Sequence, residues 1–313
     1  MPEVAPLRTL LARLSDLHYR FVTVTPETHA LVNARAGNDL ARSLRDVFGW
    51  SRPFLPEILP KDVFETLRSA DACERLEGGR WRATVRVASV GHLLFVHSAF
   101  PTREQDAVFF GPDSYRFARA IRQLGASATR AVDVGCGSGV GGIVLSHFGA
   151  VDAPVVLADV NARALELARV NAAAADVPAE IISSDVLRDV EGPVDLIIAN
   201  PPYMIDAAAR AYRHGGDAHG AALSARIVNE SLRRLERSGG GSLLLYTGVA
   251  MLGDSDPFMD LIVDDLVQSG ARYSYEELDP DIFSNELREP AYADVERIAA
   301  VLLHANLASR DSA

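Results

Sequence analysis

The sequence predicts an α/β protein: a mostly parallel sheet with helices on both faces, preceded by a smaller module of short helices and a hairpin. From Arg130 onward, apolar strand-like runs alternate with helix-length amphipathic stretches, the pattern of a parallel sheet built from crossovers. Before Phe100 there is no such alternation, and helical repeats give way to period-two runs. A chain of 313 residues exceeds one ordinary domain of roughly 100–200 residues, and its 48% apolar content can build a core without disulfides.

Leu7, Leu10, Leu11, Leu14 and Leu17 recur at helical spacing. Thr25-Pro26-Glu27 reads as a helix start, with a capping hydroxyl, a proline in the first turn and an early acid. Gly37 and Gly49 stand where helix stops belong, and Val63, Phe64 and Leu67 share one face of a helix over 61–70. Residues 81–87 alternate, and Gly91 turns the chain into Leu93, Leu94, Phe95 and Val96, so a hairpin is expected. Helices followed by a hairpin suggest a winged-helix-like or irregular α+β unit over 1–107 that selects the substrate. Residues 100–111 read as a connector and 112–124 as a helix closed by Gly125. Strands are expected at 130–134, 154–159, 179–183, 194–199 and 241–247, and helices at 139–148, 161–174, 218–237 and 256–268. Arg272 to Leu278 and Val295 to His304 read as a closing antiparallel pair, completing a second unit over 108–313.

Composition excludes several classes. Two cysteines, Cys73 and Cys136, make neither a disulfide framework nor a four-thiolate zinc site. The eight histidines form no ligand pattern, so no metal is expected. The N-terminus lacks a basic segment leading into an apolar run, and the apolar stretch near 85–100 is broken by Arg86, His92 and His97. A cytoplasmic protein without a membrane partner is therefore expected. The net charge of −11 excludes a generally basic nucleic-acid coat, but it is uneven. Residues 1–110 carry 14 basic and 13 acidic side chains, and residues 111–313 carry 17 and 29. A nucleic-acid partner would more readily meet the N-terminal part.

Chemistry concentrates at four successive strand ends. Ala131-Val132-Asp133-Val134-Gly135-Cys136-Gly137-Ser138-Gly139 is a buried strand entering a glycine turn, where backbone can approach a ligand and a helix N-terminus offers free N–H groups. Asp159 ends the next strand, where a carboxylate can accept both hydroxyls of a ribose. Asp185 and Val186 follow the third, suited to an amino group and the face of an adenine. Asn200-Pro201-Pro202-Tyr203 follows the fourth. Its prolines fix φ and remove two donors, leaving a stiff turn rich in carbonyl acceptors. The Asn200 amide oxygen and the Pro201 carbonyl can take both hydrogens of a planar NH₂ group while Tyr203 stacks on its face. That would aim the nitrogen lone pair at an electrophilic methyl.

On these residues the stretch from about 108 to 305 resembles a class I S-adenosylmethionine-dependent methyltransferase with a Rossmann-like sheet. It is more closely similar to the release-factor glutamine-N5 methyltransferase family and its small methyltransferase domain relatives. The resemblance implies that Asp133, Gly135, Cys136, Gly137 and Gly139 lie in the motif contacting the methionine part of the cofactor. It also implies Asp159 and Val160 at the ribose, Asp185 and Val186 at the adenine, and Phe110 in the segment that walls the cofactor. Asn200 to Tyr203 become the substrate turn, with Asn200 also facing the methyl donor, and 214–220 a glycine-containing loop before the next helix. Residues 75–100, read as strands, and the run 283–290 depart from that family. The first substrate class expected is a protein glutamine amide. The alternative is an adenine amino group in RNA or DNA, because the same turn serves both. A nicotinamide dehydrogenase would leave the Asn-Pro-Pro-Tyr turn unexplained, and a non-catalytic, cofactor-sensing winged-helix regulator would have no need of it.

Overall fold

The N-terminal part is built by helices α1 (Val4–Asp16), α2 (Pro26–Asn33), α3 (Leu44–Phe48) and α4 (Lys61–Ser69). The computed structural model describes residues 4–102, 104–206, 210 and 212–308. Leu7, Leu10, Leu11 and Leu14 of α1 are buried in one core with Val63 and Leu67 of α4, as their spacing requires. Thr25 caps α2, its hydroxyl accepting from the Thr28 amide at 3.2 Å. The two expected stop glycines act differently. Because α2 ends at Asn33, Gly37 lies in the turn beyond it. Gly49 closes α3 with an ordinary right-handed backbone, and a Cβ there would meet the Phe21 ring at 2.2 Å. Close approach, not left-handedness, selects that glycine.

The expected strand over 81–87 is two strands. Strand β2 (Trp81–Ala83) pairs antiparallel with β1 (Cys73–Arg75), whereas β3 (Val85–Val90) forms the hairpin with β4 (Leu93–Ser98). Thr84 is the break, its amide bonding to the Ala72 carbonyl and its carbonyl to the Ala99 amide. Both hairpin faces are covered. Val85, Val87, Leu94 and Val96 enter the N-terminal core, and Ala88, Val90, Leu93 and Phe95 enter the core beneath the main sheet.

The C-terminal part contains α5 (Pro112–Leu124), β5 (Ser127–Ala128), β6 (Ala131–Val134), α6 (Val140–Phe148), β7 (Ala150–Val151), β8 (Val155–Asp159), α7 (Ala162–Ala174), β9 (Ala179–Ser183) and β10 (Leu196–Ala199). It continues with α8 (Ala222–Ser238), β11 (Gly241–Met251), α9 (Pro257–Gln268), β12 (Arg272–Asp279) and β13 (Arg297–Leu307). Seven of these strands form one sheet in the order β12-β13-β11-β10-β6-β8-β9, with β13 antiparallel to its two neighbours, β11 and β12, and the other neighbouring pairs parallel. The expected mostly parallel sheet with an antiparallel last strand is what the chain forms. Only β5 and β7 stand apart, as a short parallel pair. The central strands are buried on both faces, which is why they read as continuous apolar runs. Helix α8 starts at Ala222 and not at 218, because Ala218 and His219 take left-handed backbone in a preceding 3₁₀ turn.

Asn171 of α7 joins the two parts. Fully buried, it accepts from the Val96 amide (2.8 Å) and donates to the carbonyls of Val96 (3.0 Å) and Ser138 (2.9 Å). One side chain thus ties hairpin, helix and glycine turn. Among the described residues, no helix is long and apolar enough to cross a membrane, and no group of three or more His, Cys, Asp or Glu is placed to hold a metal ion.

Candidate active site

The chain leaves β6 toward β8 on one side, while β10 lies on the other. The crevice outside the carboxyl ends of these strands is the place where open α/β sheets take ligands. It holds a cavity of about 380 Å³, within the range of small-molecule sites. Gly135, Gly137, Asp159, Val160, Asp185, Val186 and the whole Asn200–Tyr203 turn line it together. Four separate strand ends therefore meet as the sequence suggested.

Gly135, Gly137 and Gly139 all adopt left-handed φ (66°, 53° and 79°), which explains a glycine at every second position. Asp159 organises the turn. Its carboxylate accepts from the Gly137 amide at 2.9 Å and the Asn161 amide at 2.8 Å. Burial raises its pKa, and the amides of Asn161, Gly137 and Val160 oppose that by favouring the anion. The remaining lone pairs can serve a pair of hydroxyls.

Asp133 lies elsewhere. It is buried in β6, does not line the cavity, and accepts from the Gly142 amide at 2.7 Å in the first turn of α6. Burial pushes its carboxyl up to about 7. It anchors the helix beneath the glycine turn. Cys136 and Gly139 also stay behind the cavity wall: the thiol is buried and its pKa raised by that burial, and a Cβ on Gly139 would stand 3.2 Å from Ala168. Asp185 reaches the cavity already engaged, taking both Arg226 Nη atoms (2.8 and 2.9 Å) and Arg188 Nη2 (3.0 Å). Arg226 holds its carboxyl below the usual range. Val186 is left-handed (φ 55°) although β-branched, a strained backbone at the cavity wall.

Phe110 does not wall the cavity. Its ring is in the core, stacked on His97 with centroids 5.2 Å apart, and the adjacent Phe109 lines the site. The reason is Gly111: a Cβ there would meet the Phe109 ring at 2.5 Å, so glycine lets that ring fold over the backbone. Phe109 stacks on Tyr212 (5.7 Å, 17°), whose hydroxyl donates to the Thr102 carbonyl at 2.9 Å. Tyr212 was not singled out from the sequence, nor was His214 as a lining residue. A signal existed for Phe109, since neighbours on an extended connector point to opposite sides.

The Asn-Pro-Pro-Tyr turn has two open acceptors and one locked ring. No described residue hydrogen-bonds the Asn200 side chain or the Pro201 carbonyl, and both residues line the cavity. Tyr203 is held on three sides. Its hydroxyl donates to Asp113 Oδ2 at 2.8 Å, and its ring covers Gly248, where a Cβ would lie 2.3 Å from the ring. On the third side its backbone abuts Gly220, where a Cβ would lie 2.2 Å from the Tyr203 carbonyl oxygen. The 214–220 loop is pinned alongside, Met204 donating to the Arg213 carbonyl and accepting from the Gly215 amide. Asp113 Oδ1 takes the Tyr246 hydroxyl at 2.6 Å and Arg116 at 3.0 Å, and Arg116 reaches Asp279 at 2.6 Å. Burial first, then the Asp113 charge, raise the Tyr203 pKa well above that of a free phenol, so the hydroxyl stays protonated.

The methyltransferase small domain family matches residues 117–247. Over 84 residues the chain is 40% identical to a ribosomal RNA small subunit methyltransferase C of Haemophilus influenzae, covering 27% of this chain and 25% of that protein. Over 74 residues it is 45% identical to the protein of that name in Serratia proteamaculans, covering 24% and 21%. The chain thus spans about a quarter of the length of these curated relatives. Among solved structures it is similar to a Streptococcus mutans protein assigned as an S-adenosylmethionine-dependent methyltransferase, with TM-score 0.51, 13% identity, and coverage of 78% of this chain and 65% of that one. A Pyrococcus horikoshii protein assigned as a transferase has TM-score 0.50 and 13% identity, covering 98% of this chain and 100% of that one. At these identities the two structures show the fold alone.

Proposed function

The chain carries a methyltransferase small domain of the class I, S-adenosylmethionine-dependent type across residues 117–247, and from that premise we propose that it methylates the exocyclic amino nitrogen of a base in RNA. The observation that carries the amine is the pair of acceptors without a partner among the described residues, the Asn200 amide oxygen and the Pro201 carbonyl, on one cavity beside a fixed aromatic ring. RNA is favoured by the relatives in Haemophilus influenzae and Serratia proteamaculans, whose names state ribosomal RNA as substrate. A protein glutamine, the first substrate class expected from the sequence, has no counterpart in those relatives, so the RNA alternative is taken forward.

The residues present fit the cofactor. Left-handed glycines open the backbone at 135 and 137, Asp159 keeps acceptor capacity for a diol, and buried Val186 presents an apolar face. When bound, the cofactor supplies a methyl group made electrophilic by its sulfonium. The chain then has to orient the acceptor. Asn200 and Pro201 accept the two amino hydrogens, favouring a pyramidal nitrogen whose lone pair points along the line of transfer. They also stabilise the positive charge that develops on that nitrogen. Tyr203, unable to swing, sets the plane of the base.

The test supplies purified protein with methyl-labelled S-adenosylmethionine and small-subunit ribosomal RNA, then digests the RNA to nucleosides. Label on a base amine is expected, identifying the base. Asn200→Ala should lower transfer about 10²–10³-fold with cofactor affinity retained. RNA left unlabelled by a protein that binds the cofactor in calorimetry would overturn the proposal.

A further inference from the structure

Thirty of the 31 basic residues are arginine, so arginine by itself carries little meaning in this chain. Where arginines stand without acids does. In the N-terminal part Arg8, Arg13, Arg52 and Arg82 each lie within 4 Å of a carboxylate: Asp176, Asp62, Asp46 and Glu74. Arg20, Arg35, Arg42 and Arg45 are exposed, as are Arg68, Arg75 and Arg80, and none of the seven forms such a pair with a described residue; the first four lie on the stretch that carries α2 and α3. They sit together. Arg45 donates through Nη1 to the Arg20 carbonyl, and Arg42 Nη2 lies against Gly37, two residues beyond Arg35.

The acids of the same stretch do not neutralise them. Asp46 gives Oδ1 to Arg52 at 2.5 Å and Oδ2 to the Arg42 amide and the Ser43 hydroxyl, and Glu27 accepts from Asn285 at 2.8 Å. Glu27, whose partner Asn285 is neutral, and Asp39 keep their charge, two carboxylates against four guanidiniums. In a chain of net charge −11, whose field repels a polyanion at long range, such a face has to act locally. It also connects to the site. Helix α2 begins at Pro26, which lines the cavity, and ends two residues before Arg35, a rise of about 12 Å. Val22 and Leu31, 62% and 64% exposed, lie between Arg20 and Arg35 in the chain and add apolar surface suited to sugar and base faces.

Building on the RNA reading above, we propose that Arg20, Arg35, Arg42 and Arg45 form a docking face for the phosphate backbone of the RNA whose base enters the cavity. The face binds phosphates without reading sequence, and α2 sets its distance from the reacting nitrogen.

The experiment compares wild type with a variant carrying Arg20→Gln, Arg35→Gln, Arg42→Gln and Arg45→Gln. A control of equal net charge carries Arg119→Gln, Arg233→Gln, Arg237→Gln and Arg272→Gln, four exposed arginines of the C-terminal part, two of them one turn apart on α8. Binding of purified small-subunit ribosomal RNA is measured between about 50 and 200 mM salt, together with methyl-transfer kinetics. The face variant should lose about 3 from the slope of log affinity against log salt, close to the 0.7–0.9 expected per phosphate. Its KM for RNA should rise about tenfold or more, with kcat at saturating RNA and cofactor affinity unchanged. The control should keep the wild-type slope. If the fourfold variant does not fold, the pair Arg35→Gln and Arg42→Gln, whose guanidiniums make no hydrogen bond to a described residue, should show about half the slope change. An unchanged slope and KM in the face variant, with RNA labelled normally by wild type, overturns the docking face alone. So does an equal loss in the control. RNA left unlabelled by wild type overturns the RNA reading and the docking face with it.

Discussion

Replacing Tyr203 with phenylalanine isolates the device that holds the substrate turn. The variant keeps the ring that covers Gly248 and removes the hydroxyl that reaches Asp113. Asp113 is 5% exposed. Its Oδ1 keeps Tyr246 at 2.6 Å and Arg116 at 3.0 Å, but Oδ2 loses the Tyr203 hydroxyl, the donor that held it at 2.8 Å. A hydrogen bond to a buried charged group is worth about 1.5–3 kcal/mol, so Tyr203→Phe should destabilise the fold by that amount. Tyr246→Phe should cost less, because Arg116 still serves Oδ1. Urea denaturation at constant m measures both. In a cycle with Asp113→Asn, the pair should couple by about 1–3 kcal/mol.

The functional readout separates support of the fold from orientation of the base. A ring that can rock by a few degrees leaves cofactor affinity alone and degrades the line of attack. The expected outcome is unchanged cofactor binding in calorimetry and a roughly tenfold lower kcat, equivalent to about 1.4 kcal/mol of barrier. Because burial and Asp113 keep the phenol protonated, wild type should show no rate limb from this group at ordinary pH. A Tyr203→Phe protein with wild-type stability and kcat, or with coupling near zero, would refute the claim that Asp113 positions the ring.

Further outcomes follow from the other placements. Phe109→Ala should weaken cofactor or substrate binding with little loss of stability, whereas Phe110→Ala should remove about 3–5 kcal/mol of stability; denaturation and calorimetry on the two variants test the placement of Phe109, and not the expected Phe110, at the cavity. Asp133, with a carboxyl near 7 in the folded protein against 3.8 when free, contributes stability fully present below about pH 4 and lost as pH rises toward 7, about 4 kcal/mol over the whole span. Asp133→Asn, which keeps an acceptor for the Gly142 amide, should flatten that slope, and denaturation at several pH values reads it. Asn171→Ala strands three buried backbone groups and should cost about 3 kcal/mol or more while loosening the turn at Ser138, so cofactor affinity should fall with stability.

What the sequence disclosed and what it withheld divide along one physical line, the range over which a residue's role is decided. The alternation after Arg130 and the four strand ends that meet at the cavity were legible because burial on both faces imposes apolar runs and the switch point lies at their ends. Asp159 and the Asn-Pro-Pro-Tyr turn declare themselves through neighbours in the chain. Phe109 and Phe110 are identical residues whose assignment is decided by the absent Cβ of Gly111 and by His97 across the core, a contact no local pattern announces. The split at Thr84 depends on Ala72, and the fixing of Tyr203 on Asp113, 90 residues away. Asp133 lies between these extremes. An acid flanked by Val132 and Val134 in a buried strand must find a donor inside the protein, and the glycines opening α6 supply a bare amide nine residues on. The same composition that reads as a ligand motif therefore also reads as a helix anchor. A carboxylate at a strand's end opens onto the cavity, as Asp159 does; one buried within the strand, as Asp133 is, is already committed to the protein.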